Sequence, residues 1–385
     1  MMNSTPPLWA EIDLSALAHN CREVAGCLGQ DTQFMAVVKA DGYGHGAVQT
    51  ARTALDNGAD RLAVARLEEA LALRRAGLTE PILIFGFTAP EDVPLLAEHD
   101  LIQTVFDQVY ARALSRAASQ LGTTLTVHLK IDTGMGRLGL VAVPDADSSE
   151  PFRPAVLDEI TSILSLSNLC FEGIYTHFAQ ADSGDKTHVR GQLACFQGLL
   201  QTLKDRGVEL AIRHAANSAA VIDLPEAHLD MVRPGLMLYG LYPSPEVDVD
   251  RVRLKPVLSL KSRIAQLKDV ASGFKISYGS TFTTQGATTI ATIPVGYADG
   301  FPRVLSSRGD MLVRGQRAPI AGRVCMDQTM LDVGHIAGVQ PGDEVVIYGS
   351  QGEERLPVED VAGLCWTINY ETVASIMARV PRTYL

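Results

Sequence analysis

Lys39 closes a short apolar, β-branched run, Ala36-Val37-Val38. A turn with glycine at every second position from Gly42 to Gly46 follows at once: Ala40-Asp41-Gly42-Tyr43-Gly44-His45-Gly46. Two readings of the lysine are open. A strand can simply end in a solvated side chain. Alternatively, Lys39 sits half buried at a strand mouth, where desolvation lowers its pKa from about 10.4. An amine so perturbed can condense with a carbonyl or take up a proton. The glycines would let the backbone and Tyr43 come close to a ligand.

The elements that must position this lysine are legible in the pattern. From residue 14 to about 250, short apolar runs alternate with helix-like stretches. Strands are expected at 34–38, 61–64, 81–85, 102–105, 124–131, 169–175, 210–214 and 229–232. Amphipathic segments at 46–57, 67–76, 108–121, 154–165 and 190–206 suit crossover helices over buried parallel strands. Eight strands with helical crossovers are the count of a (β/α)8 TIM-type barrel, which fits in about 250 residues. A doubly wound open sheet is the alternative, but no GxGxxG opens the first helix.

After Tyr242-Pro243-Ser244-Pro245 the texture changes to alternating segments at 257–266, 288–295, 311–313 and 344–348. Short helices are expected near 358–364 and 370–378. This is the pattern of a mostly antiparallel β domain. The expected division is an N-terminal segment 1–13 associated with the β domain, a barrel over 14–250 and a β domain over 251–385. The acidic stretch 144–150 reads as a surface loop.

Side chains just past the C-terminal ends of barrel strands face a common site. Those positions hold Lys39 and Tyr43, Lys130 and Arg137, His177, Asn217 and Ser218, and Arg233 with Gly235. Taken singly, Arg137 could be a solvated loop arginine, His177 a core histidine bonded to a carbonyl, and Ser218 a cap for a helix starting at Ala219. Together they make a cationic cluster suited to a phosphate or carboxylate. The net charge of −11 argues against nucleic acid or an anionic membrane as the main partner. No apolar run approaches the roughly 20 residues of a membrane span, and the start shows no basic and apolar export signal. The six cysteines lack metal or CxxC spacing, and the nine histidines show no paired-ligand pattern. A cytoplasmic protein with reduced thiols and no metal is expected.

Taken in order along the whole chain, these segments closely resemble the alanine racemase family, pyridoxal 5'-phosphate enzymes built from a barrel and a β domain. The matching stretches are 37–46, 130–139, 175–179, 214–219, 233–239, 277–281, 295–300, 323–328 and 368–371. Lys-Ala-Asp-Gly-Tyr-Gly-His-Gly with a later Ser-Tyr-Gly and Gly-Arg-Val-Cys-Met-Asp is a specific combination. Ser280 departs from the arginine or glycine that is frequent in the family.

The resemblance implies interconversion of L- and D-alanine by two bases. Lys39 would hold the cofactor covalently and act as one base; Tyr278, from a partner subunit, would be the other. Tyr43, Asn217, Ser218, Gly235, Leu236 and Tyr370 would line the phosphate site. Arg233 would donate to the pyridine nitrogen with His177 in support. Arg137 and the backbone of Met326 would bind the substrate carboxylate, and Lys130 matches a lysine carbamylated in many members. A homodimer with shared sites follows. The rival readings are a broad-specificity or serine racemase of the same fold, a decarboxylase of similar architecture, and a non-catalytic pyridoxal-phosphate carrier. The decarboxylases place an acid where this chain has Arg233, and the carriers lack a β domain.

Overall fold

The computed structural model describes residues 6–148 and 150–385. Residues 1–5 of the expected N-terminal segment and Ser149 of the expected acidic loop lie outside the described residues. The described residues divide into two compact units: one of residues 17–42 and 47–255, the other of 6–16, 43–46 and 256–385.

The first unit is a closed barrel of eight parallel strands. In chain order they are Gln33–Val37, Arg61–Val64, Ile82–Ile84, Leu101–Val105, Leu125–Asp132, Leu169–Tyr175, Ile212–His214 and Met231–Val232. Each pairs with the next, and Met231–Val232 returns to Gln33–Val37 with Met231 opposite Gln33. The open-sheet alternative is thereby excluded. A helix crosses over after each of the first seven strands, as expected for parallel neighbours. Several strands are buried along nearly their whole length, including Leu101–Val105, so they show no inside–outside alternation.

Two helices escaped the sequence reading. Val93–Glu98 has six residues and a proline in its first turn, too short for periodicity to register. Leu14–Gly26 precedes the barrel; the Asp13 carboxylate accepts from the Ala16 N–H at 2.9 Å at its start.

The second unit holds a mixed sheet in the order Gln316–Pro319, Asp310–Val313, Glu344–Gln351, Leu258–Arg263, Leu8–Ile12, Arg382–Tyr384. All its pairs are antiparallel except Leu8–Ile12 with Arg382–Tyr384. Strand Leu258–Arg263 alternates buried and half-buried residues, as a sheet with one covered face requires. A three-stranded sheet (Gln266–Val270, Thr288–Ile293, Thr329–Asp332) and a small hairpin (Lys275–Ile276 with Phe282–Thr283) complete it. Among the described residues, no helix is long and apolar enough to cross a membrane, and no disulfide is formed.

Within the second unit the glycine turn has a packing role. A Cβ on Gly44 would lie 2.1 Å from the Val373 carbonyl oxygen, and one on Gly46 would lie 1.9 Å from the Tyr384 hydroxyl. Both glycines also have positive φ, +83° and +94°. Gly44→Ala should therefore cost ~2–4 kcal/mol, the range of combined overpacking and backbone strain. Gly191→Ala, inside helix Thr187–Asp205 with nothing within 4 Å, should instead gain roughly 0.5–1 kcal/mol. Urea unfolding of the two variants against wild type checks the contrast; equal effects would refute it.

Candidate active site at the strand C-termini

The lysine's turn is a strained piece of backbone held by fixed partners. Ala40, Asp41 and Gly42 have φ of 54°, 52° and 61°, consecutive left-handed residues of which two carry a Cβ. Such conformations cost about 1–2 kcal/mol each and need external support. The Glu69 carboxylate supplies part of it, accepting from the Ala40 N–H at 2.6 Å and from the Ala65 N–H at 2.7 Å. The Asp41 carboxylate accepts from the Ala47 N–H at 2.9 Å, and the Gly42 N–H donates to the Val38 carbonyl at 2.9 Å. Lys39 itself is partly buried rather than a solvated strand end. Burial lowers its pKa first and the charge of Arg137 lowers it further, against an opposing pull from Glu69. The neutral amine, which is the form that attacks or takes up a proton, is favoured.

Strand Leu125–Asp132 presents polar residues at every second position: Thr126, His128, Lys130 and Asp132. The last three are buried. The Lys130 ammonium is destabilised by burial and then by Arg233, partly countered by Asp132. Its Nζ donates to the Ile131 carbonyl at 3.0 Å and lies 5.0 Å from the Tyr175 ring centre. Asp132 works on the backbone. Its carboxylate accepts from the N–H groups of Gly134, Met135, Gly136 and Arg137 at 2.8 to 3.2 Å, which shapes the loop that presents the exposed Arg137. Burial pushes the Asp132 pKa up, but those backbone donors outweigh it and hold the group below the usual carboxylate range.

Arg233 is buried at the end of the last strand and its donors are directed by protein acceptors. Nη1 donates to His214 Nδ1 at 2.9 Å; Nη2 donates to the carbonyls of Thr176 (2.8 Å) and Ala215 (3.0 Å) and to His177 Nδ1 (3.3 Å). Burial draws the guanidinium down to about 10, so it stays charged at neutral pH. Tyr175 stacks on His214 with ring centres 4.6 Å apart, and the Arg233 guanidinium lies 5.1 Å from the Tyr175 centre. The Tyr175 phenol shares a hydrogen with Thr104 Oγ1 at 3.0 Å, and burial raises its pKa to about 12. His177 lies beside Arg233 and feels the rest of the cluster through its charges. It is held neutral by burial and then by the charges of Arg233, Lys130, Arg137 and Lys39.

At the neighbouring strand end, Asn217 rather than Ser218 caps helix Ser218–Asp223, its side-chain oxygen accepting from the Ala220 N–H at 3.1 Å. The capping role considered for Ser218 is thus corrected. Ser218 Oγ instead accepts from the Gly235 N–H at 2.9 Å and the Met237 N–H at 3.4 Å, which leaves its own O–H to donate elsewhere. Leu236 is buried and opens the short helix Leu236–Tyr239.

The other expected residues belong to the second unit. Tyr43 is buried, with its ring 6.3 Å from that of Tyr370, and burial keeps it a neutral phenol. Tyr278 is 71% exposed in a turn where Ser277, Gly279 and Ser280 all have positive φ. Ser277 Oγ anchors that turn to the Arg323 carbonyl at 2.6 Å. The loops at 294–300 and 323–328 pack together through Tyr297 N–H to Cys325 O (3.1 Å) and Ala298 N–H to Met326 O (3.0 Å).

Models of the alanine racemase N-terminal and C-terminal domains match residues 12–243 and 257–384. The chain belongs to the alanine racemase family. It is 52% identical to an alanine racemase of Desulforamulus reducens, covering 98% of this chain and 99% of that one. Against an alanine racemase of Methanococcus maripaludis the identity is 48%, with 98% and 99% covered. Among solved structures, alanine racemase of Clostridium difficile 630 superposes with a TM-score of 0.92 at 39% identity, over 100% of this chain and 97% of that one. The alanine racemase of Bacillus anthracis with bound L-Ala-P gives 0.91 at 37%, over 100% and 96%.

Within this racemase fold, the structure brings Lys39, Lys130, Arg137, His177 and Arg233 into one field of charge. It also shows polar partners that the sequence reading passed over: Glu69, His128, Asp132, Glu172, Tyr175 and His214. The alternation of polar residues along 126–132 was a readable sign of the polar face; Glu69 and Glu172 gave none. Asp132→Asn should destabilise the protein at neutral pH. Because the folded-state pKa of Asp132 is depressed, its contribution is fully present above about 3.8 and fades as pH falls below that value. Melting temperatures of wild type and variant should therefore converge only in that acid range; a gap independent of pH would refute the assignment.

Proposed function

We propose that this chain interconverts L- and D-alanine with pyridoxal 5'-phosphate, using Lys39 as one base and Tyr278 of a second copy as the other. The observation that carries the reading is the set of four basic groups, the guanidinium groups of Arg233 and Arg137 and the amines of Lys130 and Lys39, gathered around His177, which Arg233 meets at 3.3 Å. Such a concentration of positive charge, in a protein of net charge −11, suits an anionic cofactor and a carboxylate substrate.

The residues present fit that cofactor. The Arg233 Nε–H has no protein acceptor among the described hydrogen bonds, while Nη1 and Nη2 are anchored, so a ring nitrogen can be met by a fixed donor. The Ser218 O–H, with no acceptor among the described hydrogen bonds, and the neutral Tyr43 phenol are each donors suited to phosphate oxygens; Tyr370, Asn217, Gly235 and Leu236 are proposed as further phosphate residues. Lys39 would hold the carbonyl carbon. When bound, the cofactor supplies the conjugated system that acidifies the substrate Cα–H.

The chain's own residues then do the rest. Arg137 and the backbone of Met326 hold the substrate carboxylate. Lys39 Nζ takes or returns a proton on one face and Tyr278 Oη on the other. Two opposed bases allow inversion without either swinging around the substrate. Arg233, with His177 beside it, donates to the ring nitrogen without surrendering its proton, since an arginine is a very weak acid. Burial, and then Arg233, shifts Lys130 towards the neutral amine, the form to which carbon dioxide would add with loss of a proton; the resulting negative charge would orient Arg137.

The two-base arrangement needs a partner. Tyr278, Met326, Trp366 and Ile368 are more than half exposed in the second unit, which suits a face covered by another copy. We take residues 14–250 as the cofactor-binding part and 251–385, with 1–13, as the part that lends the second base, in a cytoplasmic homodimer.

Chiral separation of the products from purified protein and L-alanine tests the activity; no D-alanine, or no visible absorption removable by borohydride, sinks it. L-serine and L-lysine as parallel substrates decide its breadth. Tyr278→Phe should slow racemisation in both directions by roughly 10²–10⁴. Exchange of the D-alanine Cα proton with solvent should survive, since Lys39 still serves that face. L-alanine exchanging as fast as before would show that Tyr278 is not the second base. Full activity in a species that light scattering finds monomeric would remove the shared site.

A further inference from the structure

Glu172, Arg61, His128 and His214 take no part in the chemistry proposed above, yet they join Arg233 in one hydrogen-bonded column. From Arg233 Nη1 the column runs to His214 Nδ1 (2.9 Å), from His214 Nε2 to His128 Nδ1 (2.8 Å), and from His128 Nε2 to Glu172 Oε2 (3.0 Å). Arg61 closes it, donating from Nη1 and Nη2 to the two Glu172 oxygens at 2.9 and 2.8 Å, with its Nε on Gln33 Oε1 at 3.0 Å. Both histidines are fully buried.

The direction of every bond is forced. A guanidinium can only donate, so His214 Nδ1 must accept and its proton must sit on Nε2. That proton is given to His128 Nδ1, which leaves the His128 proton on Nε2, facing a carboxylate that can only accept. Any charged histidine breaks the order. A cationic His128 would require His214 to accept at Nε2 and so to carry a proton on Nδ1, against the arginine. A cationic His214 would do the same directly. Two neutral Nε2–H tautomers are the one arrangement that satisfies all three bonds.

The backbone is built around this column. Val127 pairs with Phe171 and His128 with Gly173, so Glu172 is the extra residue of a bulge, the usual device for re-aiming a side chain. Gly173 makes room: a Cβ there would lie 2.7 Å from His128 Nδ1 and Cε1 and 2.9 Å from the Ile212 carbonyl oxygen. The carboxylate stays ionised, its pKa brought to about 2 by the His128 hydrogen bond first and by Arg61.

We propose that Glu172 is a positioning residue which, by being an obligate acceptor at the far end of the His128–His214 column, holds the His214 Nδ1 lone pair on Arg233 and so fixes the guanidinium in the site. The proposal rests on the role given to Arg233 above, but its first test does not. In the ¹⁵N NMR spectrum of histidine-labelled holoprotein at pH 7, His128 and His214 should both show a protonated Nε2 and a bare Nδ1. A protonated Nδ1 on either ring overturns the column, whatever the cofactor does.

The second test separates an acceptor from a mere ion pair. Exchanging the charges, Arg61→Glu with Glu172→Arg, keeps the half-buried ion pair but offers His128 a donor. The column must then reverse or break: His214 should gain an Nδ1 proton, and pyridoxal 5'-phosphate should bind roughly tenfold more weakly, the loss expected for one charge-assisted bond, with little change in melting temperature. Glu172→Gln keeps an acceptor oxygen and should retain both tautomers with affinity within about threefold. Exchanged charges that leave the His214 tautomer and the affinity as in wild type would show that only the ion pair matters, and so would Glu172→Gln losing as much as the exchange. If the exchanged protein does not fold, the wild-type tautomers and Glu172→Gln still decide. Wild-type protein with the expected tautomers and no affinity for the cofactor would instead refute the proposed function and leave the column standing.

Discussion

A guanidinium buried at a barrel's end can only donate, and that constraint organises the rest of the site. Arg233 has to find acceptors for its directed N–H groups, or the loss of hydration would be ruinous. Two carbonyls and two imidazole nitrogens supply them. The imidazoles can accept only if they are neutral, and burial together with the neighbouring cations holds them so. Tyr175 stacks on one of these rings and lies beneath the guanidinium, so its position depends on the arginine as well.

Carboxylates near the cluster are already committed elsewhere. Asp132 is spent on four backbone N–H groups, and Glu69 on three, those of Ala40, Ala65 and Arg66. They build the loops that carry Arg137 and Lys39 without neutralising either. A site in which acids shape backbone rather than pair with the basic groups has an unbalanced positive field, although the protein as a whole is acidic. Burial lowers the amine pKa of Lys39 and Lys130 first, and that imbalance lowers it further, by the same repulsion that would attract an anion.

Much of this was legible beforehand. Strands 61–64 and 169–175 and helix 358–364 sit where the apolar pattern put them, and the barrel expected from the count of strands is closed by the pairing of Met231–Val232 with Gln33–Val37. The residues at strand ends were legible because the fold carries them to a common face. The deeper partners were not, for a physical reason. His128, Glu172 and His214 matter through the direction of their hydrogen bonds, which is set by neighbours far apart in sequence and by a bulge at Glu172. Gly44 and Gly46 were read as room for a ligand, whereas the structure shows them making room for Val373 and Tyr384.

The strained turn after Lys39 explains why so much scaffold surrounds one amine. Left-handed Ala40 and Asp41 would relax if freed, and Lys39 would swing with them. The Glu69 and Asp41 carboxylates resist that at the near side of the turn, and the tight packing of Gly44 and Gly46 resists it at the far side. A base that must address one face of a flat substrate gains more from a fixed direction than from mobility. Tyr278, by contrast, is placed on an exposed turn with three positive-φ residues, held by Ser277. Under the proposed two-base reaction, a fixed turn at each base would let both address one carbon without exchanging places.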